Sequence, residues 1–189
     1  MSLINEIINA YRGFATSMRK QLAQPLREEK LLIYVVLACF IGLVARVPGL
    51  MQVVENNTDP DITITNIIGS SIATTMFYGP IMMYIIAALS HLAAKMFKGQ
   101  ATFAQARLAL FWSALVVAPV FLVFVGLRPV IPFMAFIALG NLITGILFVY
   151  CWGVCLSVAE KFTNPTLVSI SIVTIFGLIM IAVRVITIS

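Results

Sequence analysis

A chain of 189 residues that is 61% hydrophobic and 10% charged is not an ordinary soluble domain, in which about a quarter of residues carry charge. Its length leaves no room for a separate soluble catalytic domain beside a membrane unit. The net charge of +5 would suit nucleic acid, but its placement argues against that partner: nine of the twelve basic residues cluster on one side of the predicted spans.

Taken from the N-terminus, Leu3, Ile4, Ile7, Ile8, Tyr11, Phe14, Met18 and Leu22 recur at helical spacing. Polar Asn5, Glu6, Asn9, Arg12, Thr16, Arg19 and Lys20 occupy the remainder. This pattern predicts an amphipathic helix over residues 1–24, with Ser2 as N-cap and Pro25 as its end. It is too polar to span, so it is expected to lie in the cytoplasmic interface, basic residues toward anionic headgroups. Docking on a partner helix is the other reading. No apolar stretch followed by a small-residue cleavage site is found in residues 1–30, so the first span is expected to act as an uncleaved anchor.

Five apolar runs follow, near Leu31–Met51, Ile67–Ala94, Ala109–Leu127, Val130–Ala159 and Leu167–Ile188. At about 1.5 Å per helical residue, each can cross a hydrocarbon layer about 30 Å thick. Span one runs into Arg46, expected at the outer boundary, and then Pro48-Gly49. The loop Gln52–Asn66 carries Glu55, Asp59 and Asp61, and its Asn56-Asn57-Thr58 is a weak glycosylation match. Span two presents Gly69, Ser70, Ser71, Ala73, Thr74 and Thr75, a small-residue surface that lets another backbone approach. Gly79-Pro80 predicts a kink, because proline removes a donor and crowds the preceding turn. The span closes at His91, Lys95 and Lys98, with Gly99 expected as its C-cap. Thr102 and Gln105 form a capping-box pattern that opens the next helix.

Span three holds Pro119, and Arg128-Pro129 makes a connection short enough for an antiparallel hairpin with span four. Span four carries Gly140, Asn141, Thr144 and Gly145. Asn164-Pro165 reads as N-cap and first-turn proline of span five. The expectation is therefore an all-α polytopic membrane protein: a five-helix transmembrane bundle over residues 25–189, preceded by the interfacial helix. Counting Arg12, Arg19, Lys20, Arg27, Lys30, Lys95, Lys98, Arg107 and Lys161 on one side, against Arg46, Arg128 and Arg184 on the other, places the N-terminus in the cytoplasm and the C-terminus opposite.

The chemistry on offer is sparse. Cys39, Cys151 and Cys155 fall within spans and read as buried small residues. No nucleophile–base pair, metal-ligand cluster or phosphate loop is found, so catalytic residues, metal and cofactor are all expected to be absent. A membrane enzyme would need His91, Arg107 and Glu160 to converge at the cytoplasmic surface. Gly69, Ala73, Gly79, Pro80, Pro119, Gly140, Asn141 and Gly145 are the candidate packing or interaction residues, with an interhelical hydrogen bond expected at Asn141. Arg12, Arg19, Lys20, Lys95, Lys98 and Arg107 are the candidate lipid-interface residues.

The stretch Lys98-Gly99-Gln100-Ala101-Thr102-Phe103-Ala104-Gln105-Ala106-Arg107, followed by Phe111-Trp112-Ser113-Ala114 and Ala118-Pro119, resembles the Gly-x-x-x-Phe-x-x-Ala pattern of bacterial Yip (Ypt/Rab-interacting protein) domain proteins. That pattern joins helices two and three, with a proline midway along helix three. The resemblance covers roughly residues 30–188. Eukaryotic members are implicated in vesicle budding and transport, with prenylated Rab GTPases as partners. This chain departs from them: it has no long polar N-terminal region, and Phe77-Tyr78-Gly79-Pro80 stands where they carry Asp-Leu-x-Gly-Pro. The resemblance thus implies the bacterial branch and a cytoplasmic (inner) membrane. The expected role is non-enzymatic, organising membrane lipids or partner membrane proteins, self-association included. A small oligomeric transporter or channel is the alternative.

Overall fold

A computed structural model describes residues 2–55, 63–128, 131 and 133–175. Their regular structure is entirely helical: α1 (Leu3–Ala10), α2 (Phe14–Leu22), α3 (Glu28–Glu55), α4 (Ile64–Ala73), a π turn (Thr74–Tyr78), α5 (Gly79–Met96), α6 (Phe103–Gly126) and α7 (Met134–Glu160). A shorter apolar helix, α8 (Pro165–Ile175), follows. Four rods are long and apolar enough to cross a membrane: α3, the continuous Ile64–Met96 rod, α6 and α7. They match four of the five predicted spans. The fifth is represented by α8, begun as predicted by the Asn164 side chain accepting the Thr166 N–H at 3.2 Å; residues 176–189, Arg184 among them, lie outside the described residues.

The end of the first span differs from the sequence reading by a few residues. α3 runs through Pro48 to Glu55, so the predicted loop does not begin at Gln52. A proline inside a long apolar helix costs one hydrogen bond, which the flanking turns of a membrane rod tolerate. The glycosylation match and Asp59 and Asp61 lie outside the described residues. α6 likewise continues through Pro119. At Gly79-Pro80 the rod does not break; it widens into the π turn, which absorbs the missing donor.

α6 is the centre. It contacts α3, α5 and α7, and 61% of its apolar window is buried against 11% for the Ile64–Met96 rod. Leu108 to Ser113 and Leu115 to Val117 are all enclosed, as expected of a helix apolar on every face. The π-turn rod is peripheral.

The N-terminal segment departs most from expectation. Instead of one interfacial helix, the chain breaks at Tyr11–Gly13 into a hairpin of two short helices, with α2 against α6 and α7 and α1 against α6. The break lets part of each apolar face turn inward: Ala10 and Met18 are 0% exposed, while Ile4 and Ile8 stay exposed. Tyr11 donates its hydroxyl to the Val116 carbonyl, beside Leu115, whose carbonyl loses its usual donor at Pro119. Trp112 Nε1 donates to Ser17 Oγ at 3.1 Å, and the Tyr34 hydroxyl donates to Gln21 at 3.0 Å. Val116 lies nine residues beyond Arg107 on α6, about 13 Å along the axis. The tip of the hairpin therefore reaches well into the bundle.

Candidate functional site

The predicted motif folds into a turn clamped by one carboxylate. α5 ends at Phe97, and Lys98 then takes the left-handed conformation at φ 64°. Gly99 N–H reaches back to the Ala94 carbonyl at 2.9 Å. The cap thus falls at Lys98 rather than at Gly99, whose φ is not positive. Gly99 is required for a different reason: an added Cβ would stand 2.9 Å from the Ala94 oxygen and closer still to Glu160 Oε2.

Glu160, the last residue of α7, is 1% exposed. Its Oε2 accepts the Ala101 N–H at 2.8 Å, and Oε1 lies 2.9 Å from His91 Nδ1. Its backbone oxygen accepts from Gln100 at 3.2 Å. One side chain thereby joins α5, the α5–α6 turn and α7. Lys161, left-handed at φ 59°, turns the chain out of α7 immediately afterwards. Thr102 then opens α6 with the predicted reciprocal capping box to Gln105.

Arg107 faces the other way. Its two terminal nitrogens donate to Glu28 at 2.8 and 2.6 Å, tying α6 to the start of α3. The guanidinium lies 4.7 Å from the Phe103 ring centre and 5.4 Å from that of Tyr84. Phe103 in turn sits 6.0 Å from the His91 ring. Of the three residues an enzyme would need together, His91 and Glu160 meet while Arg107 pairs with Glu28. A carboxylate with both oxygens engaged, one by a backbone N–H, is well placed to hold the turn. Among the described residues no group of three or more His, Cys, Asp or Glu stands close enough to hold a metal.

The remaining candidate lipid-interface residues divide. Arg12 and Lys20, with Glu6, Asn9 and Thr16, line a polar cleft of about 160 Å³ between α1 and α2. Lys95 donates to the Gly99 carbonyl at 3.1 Å. Arg19 and Lys98 are exposed.

At the opposite end of the bundle, α3, the π turn with α5, α6 and α7 line an open cavity of about 670 Å³. Arg46, Thr74, Thr75, Gly79, Asn141 and Gly145 are among its walls. Gly79 lies against Cys39, its Cβ position 3.0 Å from Sγ, and Gly140 lies against Phe124 at 2.9 Å. Gly69 and Gly145 have nothing within 4 Å of a Cβ among the described residues, and Ala73 is exposed. Pro80 is buried, and Pro119 is half-buried within α6. Asn141 accepts from Arg128 at 2.7 Å, across the α6–α7 connection.

Sequence reasoning missed the Glu160 clamp and the Tyr11, Ser17 and Trp112 contacts, since they join residues between 59 and 105 positions apart. Only Gly99, two residues before Ala101, hinted that something presses on that turn. A family model described as the Yip1 domain matches residues 13–185. No curated protein matches the chain, and no solved structure does.

Proposed function

We propose, because this chain belongs to the Yip1 domain family, that it works as a non-enzymatic integral membrane protein that organises partner membrane proteins and the lipids around them. The family is one of membrane proteins without catalytic activity. The observation carrying the proposal is the Ile64–Met96 rod, of whose apolar window only 11% is buried. Its small residues Gly69, Ser70 and Ala73 are open, and Phe77 and Tyr78 beside them are 70% and 62% exposed. A second helix, from another protein or another copy, could approach such a face closely and stack on its aromatic rings. The polar groups at the Glu160 end are meanwhile occupied in holding helices together, which leaves little for catalysis. The basic residues Arg12, Arg19, Lys20, Lys95 and Lys98 suit the anionic inner face of a bacterial cytoplasmic membrane, N-terminus inside and C-terminus outside.

Isolation of the full chain from native membranes in mild detergent, followed by identification of what accompanies it, tests this reading. A stoichiometric membrane-protein partner or a defined oligomer is expected, and Gly69→Leu with Ala73→Leu should release it. A strictly solitary monomer overturns it. One observation favours a second reading, a small transporter or channel: the cavity that reaches Asn141 beside the π turn. Solute flux through proteoliposomes that is lost in Gly145→Leu would support that alternative.

A further inference from the structure

The cavity at the Arg46 end is graded along the bundle axis in the same sense on each of the helices that carries a polar group. Its polar side chains, Arg46 on α3, Thr74 and Thr75 in the π turn, and Asn141 and Thr144 on α7, sit toward the end that carries Arg128. The lining residues nearer the bundle middle, Ala38, Met83, Ile86, Ala114 and Phe148, are apolar throughout. From Arg46 to Ala38 is eight residues, about 12 Å of helix. Among the described residues no carboxylate lines the cavity, and Arg46, which is exposed, has no hydrogen-bond or ion-pair partner there. A second guanidinium, Arg128, is held at the rim by Asn141 Oδ1, which leaves the Asn141 amide nitrogen free to donate.

A guest there meets mainly apolar walls, with the exposed Arg46 guanidinium at their outer end. An anionic amphiphile satisfies both ends. The geometry points to a bound anionic phospholipid from the leaflet at the Arg128 end. Its phosphate lies on Arg46 with the Thr74, Thr75 and Asn141 donors, and one acyl chain runs toward Phe148 and Ile86. A cavity of about 670 Å³ is within the range of sites that enclose small ligands, about 300–1,000 Å³, and holds a chain rather than a whole lipid. The π turn is consistent with the assignment, since such bulges are frequent at functional sites. The N-terminal hairpin does not obstruct it. Tyr11 and Ser17 engage Val116 and Trp112, whereas the cavity uses Ala114, Val117, Ala118 and Phe121, a set centred on the opposite face of α6. This inference does not use Gly69, Ser70 or Ala73 of the Ile64–Met96 rod, although Tyr78 borders both surfaces.

The test is native mass spectrometry of the full-length protein, equilibrated in detergent with phosphatidylglycerol, phosphatidylcholine or oleate. Chain-labelled phosphatidylglycerol in nanodiscs reports immobilised lipid in parallel. Gly42 and Gly145 both line the cavity with nothing within 4 Å of a Cβ, so Gly42→Leu with Gly145→Leu fills it without a clash in the fold. The expected result is one retained phosphatidylglycerol, held in preference to phosphatidylcholine. Arg46→Gln should weaken retention about tenfold, the loss of one charge-assisted bond, Arg46→Lys should restore part of it, and the filled variant should abolish it. Equal retention of both phospholipids, retention of oleate alone, or binding unchanged in the folded filled variant overturns the proposal.

Discussion

Gly99→Ala probes the clamp most directly. The new methyl would meet the Ala94 carbonyl oxygen at 2.9 Å and the Glu160 carboxylate more closely still. Neither is the yielding end of a flexible chain: Ala94 is helical backbone, and Glu160 is held by Ala101 and His91. Crowding of this kind costs about 1–3 kcal/mol. If the turn shifts to relieve it, the Ala101 N–H bond to the carboxylate weakens, a contact worth about 1.5–3 kcal/mol. Because relief of one loss incurs the other, the expected total is about 2–4 kcal/mol rather than their sum. Removing the carboxylate first should soften the effect. In a Glu160→Ala background only the Ala94 contact remains, so Gly99→Ala should cost about 1 kcal/mol, a coupling of about 1–3 kcal/mol between the two positions. Trp112 and Trp152 are the chain's only tryptophans and are 1% and 2% exposed. Their emission during reversible unfolding in mixed micelles reads both costs. A Gly99→Ala penalty below about 0.5 kcal/mol, or the same penalty in both backgrounds, would refute the clamp.

Tyr11→Phe deletes one hydroxyl donor to the Val116 carbonyl and should cost about 1 kcal/mol in the same unfolding assay; no change would mean that the hairpin is not seated at that depth. Met18→Ala empties a fully enclosed site and should cost about 2–5 kcal/mol, whereas Ile4→Ala, at a position 67% exposed, should be nearly neutral. Equal effects of the two would contradict hairpin docking. Arg107→Lys keeps the charge but loses the paired bonds to Glu28 and the stacking on Phe103 and Tyr84. Glu28 is well exposed, so the loss should be only about 1 kcal/mol, mostly from the rings, and a loss above about 3 kcal/mol would show that the ion pair matters more than its exposure allows. Lys161→Gly relieves a left-handed backbone and should stabilise by up to about 1 kcal/mol, visible as a raised unfolding midpoint; a lowered midpoint would show the lysine side chain contributing in its own right.

The spans were legible because hydrophobicity over some twenty residues is a local property, set by the lipid solvent before any helix meets another. The same holds for the Thr102–Gln105 box and the Asn164 cap, whose partners lie within three residues. The irregularity expected at Gly79-Pro80 takes the form of a π turn, while Pro48 stays inside α3, because a long membrane rod absorbs a missing donor locally. Gly99 was read through its own φ, the one thing a sequence motif can suggest, while the actual demand comes from Glu160, 61 positions away. The N-terminal segment carried its amphipathic pattern openly, but periodicity names a buried face without naming what buries it. Bilayer surface and helix bundle are equally apolar to such a face, and only packing against Trp112 and Val116 chose the bundle. The four long apolar rods among the described residues follow from composition along the chain. The central place of α6, the inward turn of the hairpin, the carboxylate clamp and the graded cavity arise from contacts between distant segments, because shape complementarity exists only once the helices are side by side.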